Sequence, residues 1–209
     1  MRVLLITATE LEMKALGELP ANIDCRVTGV GVPSTIYQLQ KALNNQSYDL
    51  VIQAGIAGAF SEKFQLGDVV KVKSDYFGEL GIRENYEFAP LFKTHLADVS
   101  GRFYPDGILV NSCKEYLRVE LPAVAAITVN LVTDDSEHNN SVQNTFSADI
   151  ESMEGAGLHF VCSMEKIDFL QIRAISNRVG ERDKSRWQIE QALENLGVQL
   201  RRILSIGPE

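Results

Sequence analysis

The stretch YDLVIQAGIAGAF, residues 48–60, decides the fold, because it predicts a buried strand that runs into a glycine-rich turn. The apolar run at 49–53 predicts the strand, and GIAGA at 55–59 predicts the turn. Two other runs, VLLIT (3–7) and IDFLQIRAIS (167–176), are also apolar, which is typical of strands buried on both faces. Such strands need covering layers of helix, so the predicted fold class is α/β.

Segments between these strands have helical character. PSTIYQLQKALNN (33–45) begins with a proline suited to a helix N-terminus and places its apolar residues on one face. The clearest helix follows an S-x-x-Q capping box at 185–188 and has leucines at helical spacing. Strands that alternate with helices predict a largely parallel sheet covered on both faces, within one domain that spans residues 1–209.

The remaining segments are less regular. GDVVKVKSDYF (67–77) and AVAAITVNLVT (123–133) predict strands, whereas SMEGAGLHFVCSMEK (152–166) predicts a helix. The polar stretch DDSEHNNSVQN (134–144) predicts a loop or a short helix over the surface. The region 88–110 contains turn signals but no clear periodicity.

The composition limits the class of partner. The 209 residues are 45% hydrophobic and 23% charged, and they have a formal net charge of −8 without a cluster of Lys and Arg. Binding to nucleic acid or to an anionic membrane through bulk electrostatics is therefore not expected. The N-terminal apolar run is only four residues long, too short for a signal-peptide core or a membrane span.

Cysteines and histidines indicate neither a disulfide framework nor a metal site. Cys25, Cys113 and Cys162 are widely separated, and no C-x-x-C pair occurs. The histidines at 95, 138 and 159 have no ligand spacing, so they are interpreted as structural or surface residues. The expected compartment is the reducing cytoplasm.

Polar residues follow the ends of several predicted strands, where ligands bind in open α/β sheets. They are Thr9, Glu10 and Glu12 after the first strand, Met153, Glu154 and Gly155 at a helix start, and Arg173, Ser176 and Asn177 at the end of the strand over 167–175. Arg173 is the least ordinary of them, because an unpaired buried guanidinium is costly and needs a carboxylate partner. Glu12 and Glu154 are both candidates for that partner.

Together, the motifs TELE, GIAGAF with GDVV, SMEGAG and IRAISN resemble those of the nucleoside phosphorylase and nucleosidase family, in the same order and at similar spacing. The resemblance covers nearly the whole chain. It implies a three-layer α/β/α sandwich around a central mixed sheet, assembled as a homodimer or higher homo-oligomer. It also implies a purine nucleoside as the small-molecule substrate, with no metal or organic cofactor.

The resemblance implies roles for individual residues. Glu12 is expected to orient and deprotonate the attacking water, and Asn177 to meet the purine at N7. Glu154 is expected to accept hydrogen bonds from the ribose hydroxyls, with Arg173 holding the carboxylates. The other expected contacts are Thr9, Ile56, Ala57, Gly58 and Met153 along the nucleoside, and Val132 and Thr133 in the base pocket. Carboxylates suit this chemistry because N-glycosidic cleavage passes through a positively charged, oxocarbenium-like sugar.

The amide at 177 indicates which base is bound. Adenine-specific members of the resembled family have aspartic acid at the matching position. An amide NH₂ has two donors and can satisfy both N7 and O6 of a 6-oxopurine, whereas a carboxylate cannot. Each unpaired buried acceptor costs about 1–3 kcal/mol. Asn177 therefore favours hypoxanthine, or guanine, over adenine.

The tail SNRVGERDKSRWQIEQAL (176–193) is similar to that of the futalosine hydrolases, so release of hypoxanthine from futalosine is the expected reaction. Futalosine has an aromatic carboxylate at its 5′ end. Arg178, Arg182 and Lys184 are candidates to bind the carboxylate, and Trp187 could pack on the aromatic ring. The alternative is that these residues form a solvated surface. The alternatives are a methylthioadenosine/S-adenosylhomocysteine or aminodeoxyfutalosine nucleosidase, a purine nucleoside phosphorylase, and a nucleoside-binding protein without turnover. Glu12 disfavours phosphorolysis, because its negative charge lies where phosphate would have to bind.

Overall fold

The strand predicted from residues 49–53 is the centre of the sheet. In the computed structural model it is β3 and runs over Leu50–Ala59. It pairs in parallel with a strand on each side, so that Ile52 lies opposite Leu5 on one neighbour and Leu170 on the other. Its last residues also pair, antiparallel, with a third strand. Because one strand has three neighbours, the sheet divides along β3.

The structure describes residues 1–84, 87–94 and 105–205. The strands are β1 (Val3–Thr7), β2 (Ile23–Val27), β3 (Leu50–Ala59), β4 (Val69–Asp75), β5 (Gly81–Glu84), β6 (Glu87–Pro90), β7 (Leu109–Val110), β8 (Ala123–Thr128), β9 (Ile150–Ser152) and β10 (Asp168–Arg178). The helices are α1 (Glu10–Ala15), α2 (Val32–Asn45), α3 (Lys114–Arg118), α4 (Ser136–Phe146), α5 (Gly155–Glu165) and α6 (Ile189–Ser205). Among these helices, none is both long and apolar enough to cross a bilayer.

Eight of the strands form one mixed sheet, in which β3, β10, β4, β8 and β9 close into a ring. The pairs β3–β10, β4–β8 and β8–β9 are parallel, whereas β10–β4 and β9–β3 are antiparallel. Strands β1 and β2 extend the sheet beyond β3, and β7 pairs with β4. Strands β5 and β6 form a separate hairpin. The predicted central mixed sheet is confirmed, and its closure into a ring is a further feature.

Helices cover both faces of the sheet. On one face, Leu5 of β1 packs in the cluster that contains Leu196 of α6. On the other face, Leu4 and Ile6 pack in the cluster that contains Leu39 of α2. Successive side chains of a strand point to opposite faces, so burial on both sides explains the continuous apolar run of β1. The three-layer α/β/α sandwich is confirmed.

The predicted turn at 55–59 is wrong, since β3 continues through these residues to Ala59. Gly55 lies opposite Arg173 in the pairing of β3 with β10. A Cβ atom at Gly55 would lie 2.5 Å from Arg173 Nη1 and 2.6 Å from Glu12 Oε1. Gly55 therefore leaves space beside β3 for the charged side chains of Arg173 and Glu12, and it does not form a turn.

Of the polar stretch at 134–144, predicted as a loop or a short helix, residues 136–144 belong to α4. The Asp135 side chain accepts hydrogen bonds from the amides of Glu137 and His138, at 3.0 and 3.1 Å. An N-cap of this kind satisfies amide groups that have no partner inside the helix. The local capping residue therefore decides in favour of the helix.

The capping box predicted at 185–188 is wrong. Helix α6 begins at Ile189, and the amide of Gln188 donates to the carbonyl of Ser176 at 2.8 Å. The Ser185 amide is instead bound by the Asp183 side chain, at 3.0 Å. The start of α6 is thus tied to the end of β10 by a long-range hydrogen bond.

The histidine predictions have different outcomes. His159 is fully buried in α5, and its Nδ1 lies 3.1 Å from the carbonyl oxygen of Leu109. Burial lowers the pKa of His159 to about 4, so the ring is neutral and has a structural role. His138 is half-buried in α4. His95 lies outside the described residues.

Candidate active site

The carboxyl ends of β1, β3 and β10 meet the junction of β9 and α5 around a cavity of about 250 Å³. Its lining residues are Ala8, Thr9, Leu11, Glu12, Val30, Ile56, Ala57, Gly58, Val132, Glu151, Ser152, Met153, Glu154, Ser176, Asn177, Trp187, Ile189 and Leu193. All the predicted site residues except Thr133 and Arg173 belong to this set. Arg173 is buried and contacts the lining residue Glu154, and Thr133 Oγ1 accepts a hydrogen bond from the Asp135 amide at 3.1 Å.

Another cavity, of about 180 Å³, lies at the amino ends of β1, β2 and β3. Val3, Ile23 and Leu50 are among its mainly apolar lining residues. None of the predicted site residues reaches it. Since ligands in open α/β sheets bind at the carboxyl ends of strands, the first cavity is the candidate active site.

Glu12 is held in one orientation by a capping box at the start of α1. The Thr9 hydroxyl accepts from the Glu12 amide at 3.2 Å, and Glu12 Oε2 accepts from the Thr9 amide and hydroxyl, both at 2.9 Å. Glu12 Oε1 accepts from the Ile56 amide at 3.2 Å. The T-x-x-E pattern of TELE is the sequence signal for such a box. The box fixes a carboxylate in the wall of the cavity.

Arg173 contacts the carboxylate of Glu154. Its Nη1 lies 3.4 Å from Glu154 Oε2, and its Nη2 donates to Gln53 Oε1 at 2.8 Å. Glu154 Oε1 accepts from the amide of Gly31 at 3.1 Å. Burial raises the pKa of Glu154, and the positive charge of Arg173 opposes that increase. Of the two candidate partners for the buried cation, Glu154 is therefore the one in contact.

Asn177 is oriented by its neighbours at the end of β10. Its Nδ2 donates to the carbonyl of Arg178 at 2.8 Å, and its Oδ1 accepts from the Ser176 hydroxyl at 2.8 Å. A carbonyl oxygen only accepts, so the amide nitrogen must be the atom on the Arg178 side. One N–H group is thereby used within the protein, and one remains for a ligand. In this orientation one hydrogen of the Asn177 amide, and not both as expected, is free to bind a base.

Comparison with known proteins identifies the family. The family model for the phosphorylase superfamily matches residues 15–206. The chain belongs to this superfamily. Thr9 and Glu12 precede the matched range. The evidence for the fixed carboxylate at the start of α1 is therefore the hydrogen bonding in this structure and not the family match.

Two curated relatives of this superfamily member are futalosine hydrolases. The one from Acidothermus cellulolyticus is 31% identical over 180 residues, which cover 84% of this chain and 72% of the relative. The one from Thermus thermophilus is 28% identical over 180 residues, which cover 85% of this chain and 79% of the relative. The solved futalosine hydrolase of Helicobacter pylori has a TM-score of 0.80 at 14% identity, over 99% of this chain and 98% of that one. The structural match shows that the fold is shared.

Glu151 lines the cavity of this superfamily member but was not among the expected site residues. Burial and the nearby negative charge of Glu79 raise the pKa of Glu151 to about 7, and Arg182 opposes the increase. The available signal was its position directly before the SMEG motif. The pattern from residue 152 onward predicts a helix, so the sequence does not reveal the short strand β9 that presents Glu151.

The cations expected to contact the far end of the substrate are largely engaged within the protein. Arg178 donates to the carbonyl of Ser61. The guanidinium carbon of Arg182 lies 5.9 Å from the centroid of the Trp187 ring. Trp187, which was expected in the same region, lines the cavity. Of these four residues it is the one positioned to contact an aromatic ligand.

In the described part of the chain, Cys113, Glu115 and Asp168 lie close enough together to hold a metal ion. None of these residues lines the cavity, and Asp168 is at the opposite end of β10 from Asn177. The absence of a metal or organic cofactor from the reaction stays a prediction.

We expect Arg173→Leu to lower the free energy of unfolding by about 3–5 kcal/mol at pH 8, because Glu154 is left buried without its cation. Loss of the cation raises the pKa of Glu154 further, so the destabilisation becomes smaller at pH 5, where the carboxyl can take a proton. Urea denaturation at both pH values measures the effect.

The matched control is Arg186→Leu, which removes an exposed cation paired with Glu181 at 3.0 Å. Exposed ion pairs contribute little, so a change below about 1 kcal/mol is expected. An equally small change for Arg173→Leu at pH 8 would contradict the structural role of the buried pair.

Proposed function

We propose that this chain hydrolyses the N-glycosidic bond of a purine nucleoside. The observation that carries the proposal is the carboxylate of Glu12, which three hydrogen bonds hold at the wall of the cavity that also contains Asn177. A fixed carboxylate can accept a proton from water and so act as a general base. The hydroxide portion of that water bonds to C1′, its proton passes to Glu12, and the electrons of the broken bond leave with the base.

The sugar is the site of developing positive charge in this reaction. Glu154, at the start of α5, accepts hydrogen bonds from the ribose hydroxyls and stabilises the oxocarbenium-like transition state. Arg173 supports this role because its contact with Glu154 Oε2, at 3.4 Å, keeps the buried carboxylate in place. Met153 lines the cavity beside Glu154 and packs on the sugar.

Asn177 contacts the departing base on the opposite side of the scissile bond. Its free N–H donates to the Hoogsteen edge of the purine, where N7 and O6 of a 6-oxopurine are acceptors. The amide cannot deliver a proton as an acid can, so the base leaves with negative charge. A 6-oxopurine tolerates that charge better than adenine does, and the residue therefore favours hypoxanthine.

The proposed substrate is futalosine, and the proposed products are hypoxanthine and dehypoxanthine futalosine, within the alternative route of menaquinone biosynthesis. Three observations support this choice. The curated futalosine hydrolases match more than four fifths of the chain, and Asn177 offers a donor to the base. Trp187 lines the cavity and supplies an aromatic surface for the benzoate-bearing end of futalosine.

Three rivals are less well supported. An adenine nucleosidase would need a group that accepts from the 6-amino hydrogens, which the Asn177 nitrogen does not. A phosphorylase would have to bind a phosphate anion beside the carboxylate of Glu12, where like charges repel. A protein that only binds nucleosides would not need a fixed base beside the sugar site.

We further propose that the chain is one nucleosidase domain, spanning residues 1–209, that acts in the cytoplasm as a homodimer or higher oligomer. Its three free cysteines, of which Cys25 is exposed, suit a reducing compartment. Leu11 and Val30 line the cavity yet remain 60% and 54% exposed, which leaves apolar surface at its mouth for a second copy. Sedimentation velocity distinguishes this assembly from a monomer.

The function is tested by incubating purified protein with futalosine, inosine, methylthioadenosine and aminodeoxyfutalosine, each with and without phosphate. Chromatography of the released base gives the rate. We expect hypoxanthine from futalosine at the same rate in both buffers, because water is the nucleophile. A strict phosphate requirement would contradict hydrolysis, and release of adenine alone would reverse the choice of substrate.

We expect Glu12→Gln to lower kcat for futalosine by about 10²- to 10⁴-fold, because a positioned general base contributes that much. The KM should change less than kcat, since the amide keeps an oxygen acceptor for the two Thr9 donors and loses only the bond from the Ile56 amide. The control is Glu10→Gln, an exposed carboxylate in the same turn of α1, which should retain full activity. Equal kcat values for the two variants would remove Glu12 from the mechanism.

We expect Asn177→Asp to lower kcat/KM for futalosine by about 10- to 100-fold and to raise activity on aminodeoxyfutalosine. The new carboxyl oxygen faces the Arg178 carbonyl at the place where Nδ2 lies 2.8 Å away, so it must carry a proton or be repelled. When the carboxyl turns from that carbonyl toward the base, its single proton can be donated to N7 of adenine while its other oxygen accepts from the amino group. Asn140→Asp, on the exposed side of α4, is the control, and an unchanged base preference at 177 would refute the role.

A further inference from the structure

Gly58 of β3 lies between two polar residues in the register of the sheet. It pairs with Asn177 of β10 on one side and with Glu151 of β9 on the other. Paired residues of neighbouring strands project from the same face, and both of these side chains line the cavity. Gly58 contributes no side chain between them. The result is a slot, about 10 Å between the flanking Cα atoms, which is twice the spacing of adjacent strands. Asn177 Nδ2 and Val179 Cγ2 extend into it from the β10 side, 3.2 and 3.1 Å from the place where a Gly58 Cβ atom would lie.

The Glu151 carboxylate is available to a ligand in this slot. The residue is half-buried, and among the described residues no side-chain hydrogen bond or ion pair involves it. The charged groups that face it are Glu79, from the loop after β4, and Arg182, from the loop after β10. Burial and Glu79 raise the pKa of Glu151 to about 7, so its charge changes in the range where enzymes are assayed.

The two sides of a 6-oxopurine match the two sides of the slot. N7 and O6 accept hydrogen bonds, whereas N1 on the Watson–Crick edge carries a hydrogen. In adenine, N1 has a lone pair and no hydrogen. An ionised carboxylate only accepts, so it is attracted to the N1–H of a 6-oxopurine and repelled by N1 of adenine.

We propose that Glu151 is a specificity-determining residue, which accepts a hydrogen bond from the N1–H of a 6-oxopurine while Asn177 donates to the N7 and O6 side. This inference rests on the proposed function, because it assigns a further residue to recognition of the same base. Glu151 discriminates more sharply than Asn177, since one N–H of the amide is already bonded to the Arg178 carbonyl.

The choice of base then depends on pH. Above about pH 7 the Glu151 carboxylate is ionised and accepts the N1–H of hypoxanthine. Below that pH its protonated form is a donor and pairs with the N1 lone pair of adenine. The ratio of kcat/KM for a hypoxanthine nucleoside to that for the matched adenine nucleoside therefore rises from about pH 6 to about pH 8.

The test compares wild type, Glu151→Gln and Glu151→Ala on futalosine and aminodeoxyfutalosine, which differ in the base alone, across this pH range. At pH 8 we expect Glu151→Ala to lower kcat/KM for futalosine about 10- to 100-fold. The value for aminodeoxyfutalosine should not fall. Glu151→Gln keeps an oxygen acceptor but no longer titrates, so its base preference should be independent of pH.

Glu79→Gln is the matched control. Glu79 Oε2 accepts from the Asn130 amide at 2.7 Å, and glutamine keeps an acceptor there. Removing this charge should shift the midpoint of the wild-type pH profile to lower pH and leave the preference at pH 8 unchanged. A purely structural role for Glu151 would not produce that shift.

The outcomes separate this inference from the proposed function. If wild type releases hypoxanthine from futalosine but both Glu151 variants keep its base preference at every pH, the inference is wrong and the hydrolase proposal stands. If wild type releases no hypoxanthine, both are wrong. Circular dichroism reports whether Glu151→Ala folds, and if it does not, Glu151→Gln and Glu79→Gln decide the question.

Discussion

A buried guanidinium group constrains the register of the two central strands, β3 and β10. Arg173 is 1% exposed and lies opposite Gly55 in the parallel pairing of β10 with β3. A buried cation needs a fixed anionic partner, and Glu154, at 3.4 Å, supplies one. A slip of β10 by one residue would turn Arg173 to the other face and separate it from Glu154. The charge of Arg173 and the absence of a side chain at Gly55 therefore together favour a single register of β10 against β3.

The same strand contains the irregularity that positions Asn177, the proposed base contact. Ile175 pairs with Ala57 and Asn177 with Gly58, so Ser176 is the extra residue of a β-bulge. Without that bulge, Ser176 would lie opposite Gly58, and the amide would be displaced along the strand. The hydroxyl of Ser176 also donates to Asn177 Oδ1 at 2.8 Å. The bulge thus both moves the amide into the slot and orients it.

Short-range patterns were sufficient to predict much of the fold and part of the site. The apolar run of β1 predicted burial on both faces, and the isolated Arg173 predicted a carboxylate partner. The prediction failed where a distant residue decides the outcome. A glycine that reverses a chain and a glycine that admits Arg173, as Gly55 does, look identical in sequence. Strand β9 has three residues, Ile150–Ser152, which is too short for a periodicity to reveal Glu151.

Base recognition and departure of the base make opposite demands on charge. On the proposed mechanism the leaving purine becomes negative, since the Asn177 amide donates a hydrogen bond without giving up its proton. An ionised Glu151 opposes that charge, because like charges repel most strongly where water is scarce. The slot limits the conflict by separating the groups: the amide donor faces N7 and O6, which take up the charge, and the carboxylate lies two strands away. Selectivity at Glu151 therefore costs some rate, and that cost is smallest for the base that carries negative charge best, which is the 6-oxopurine.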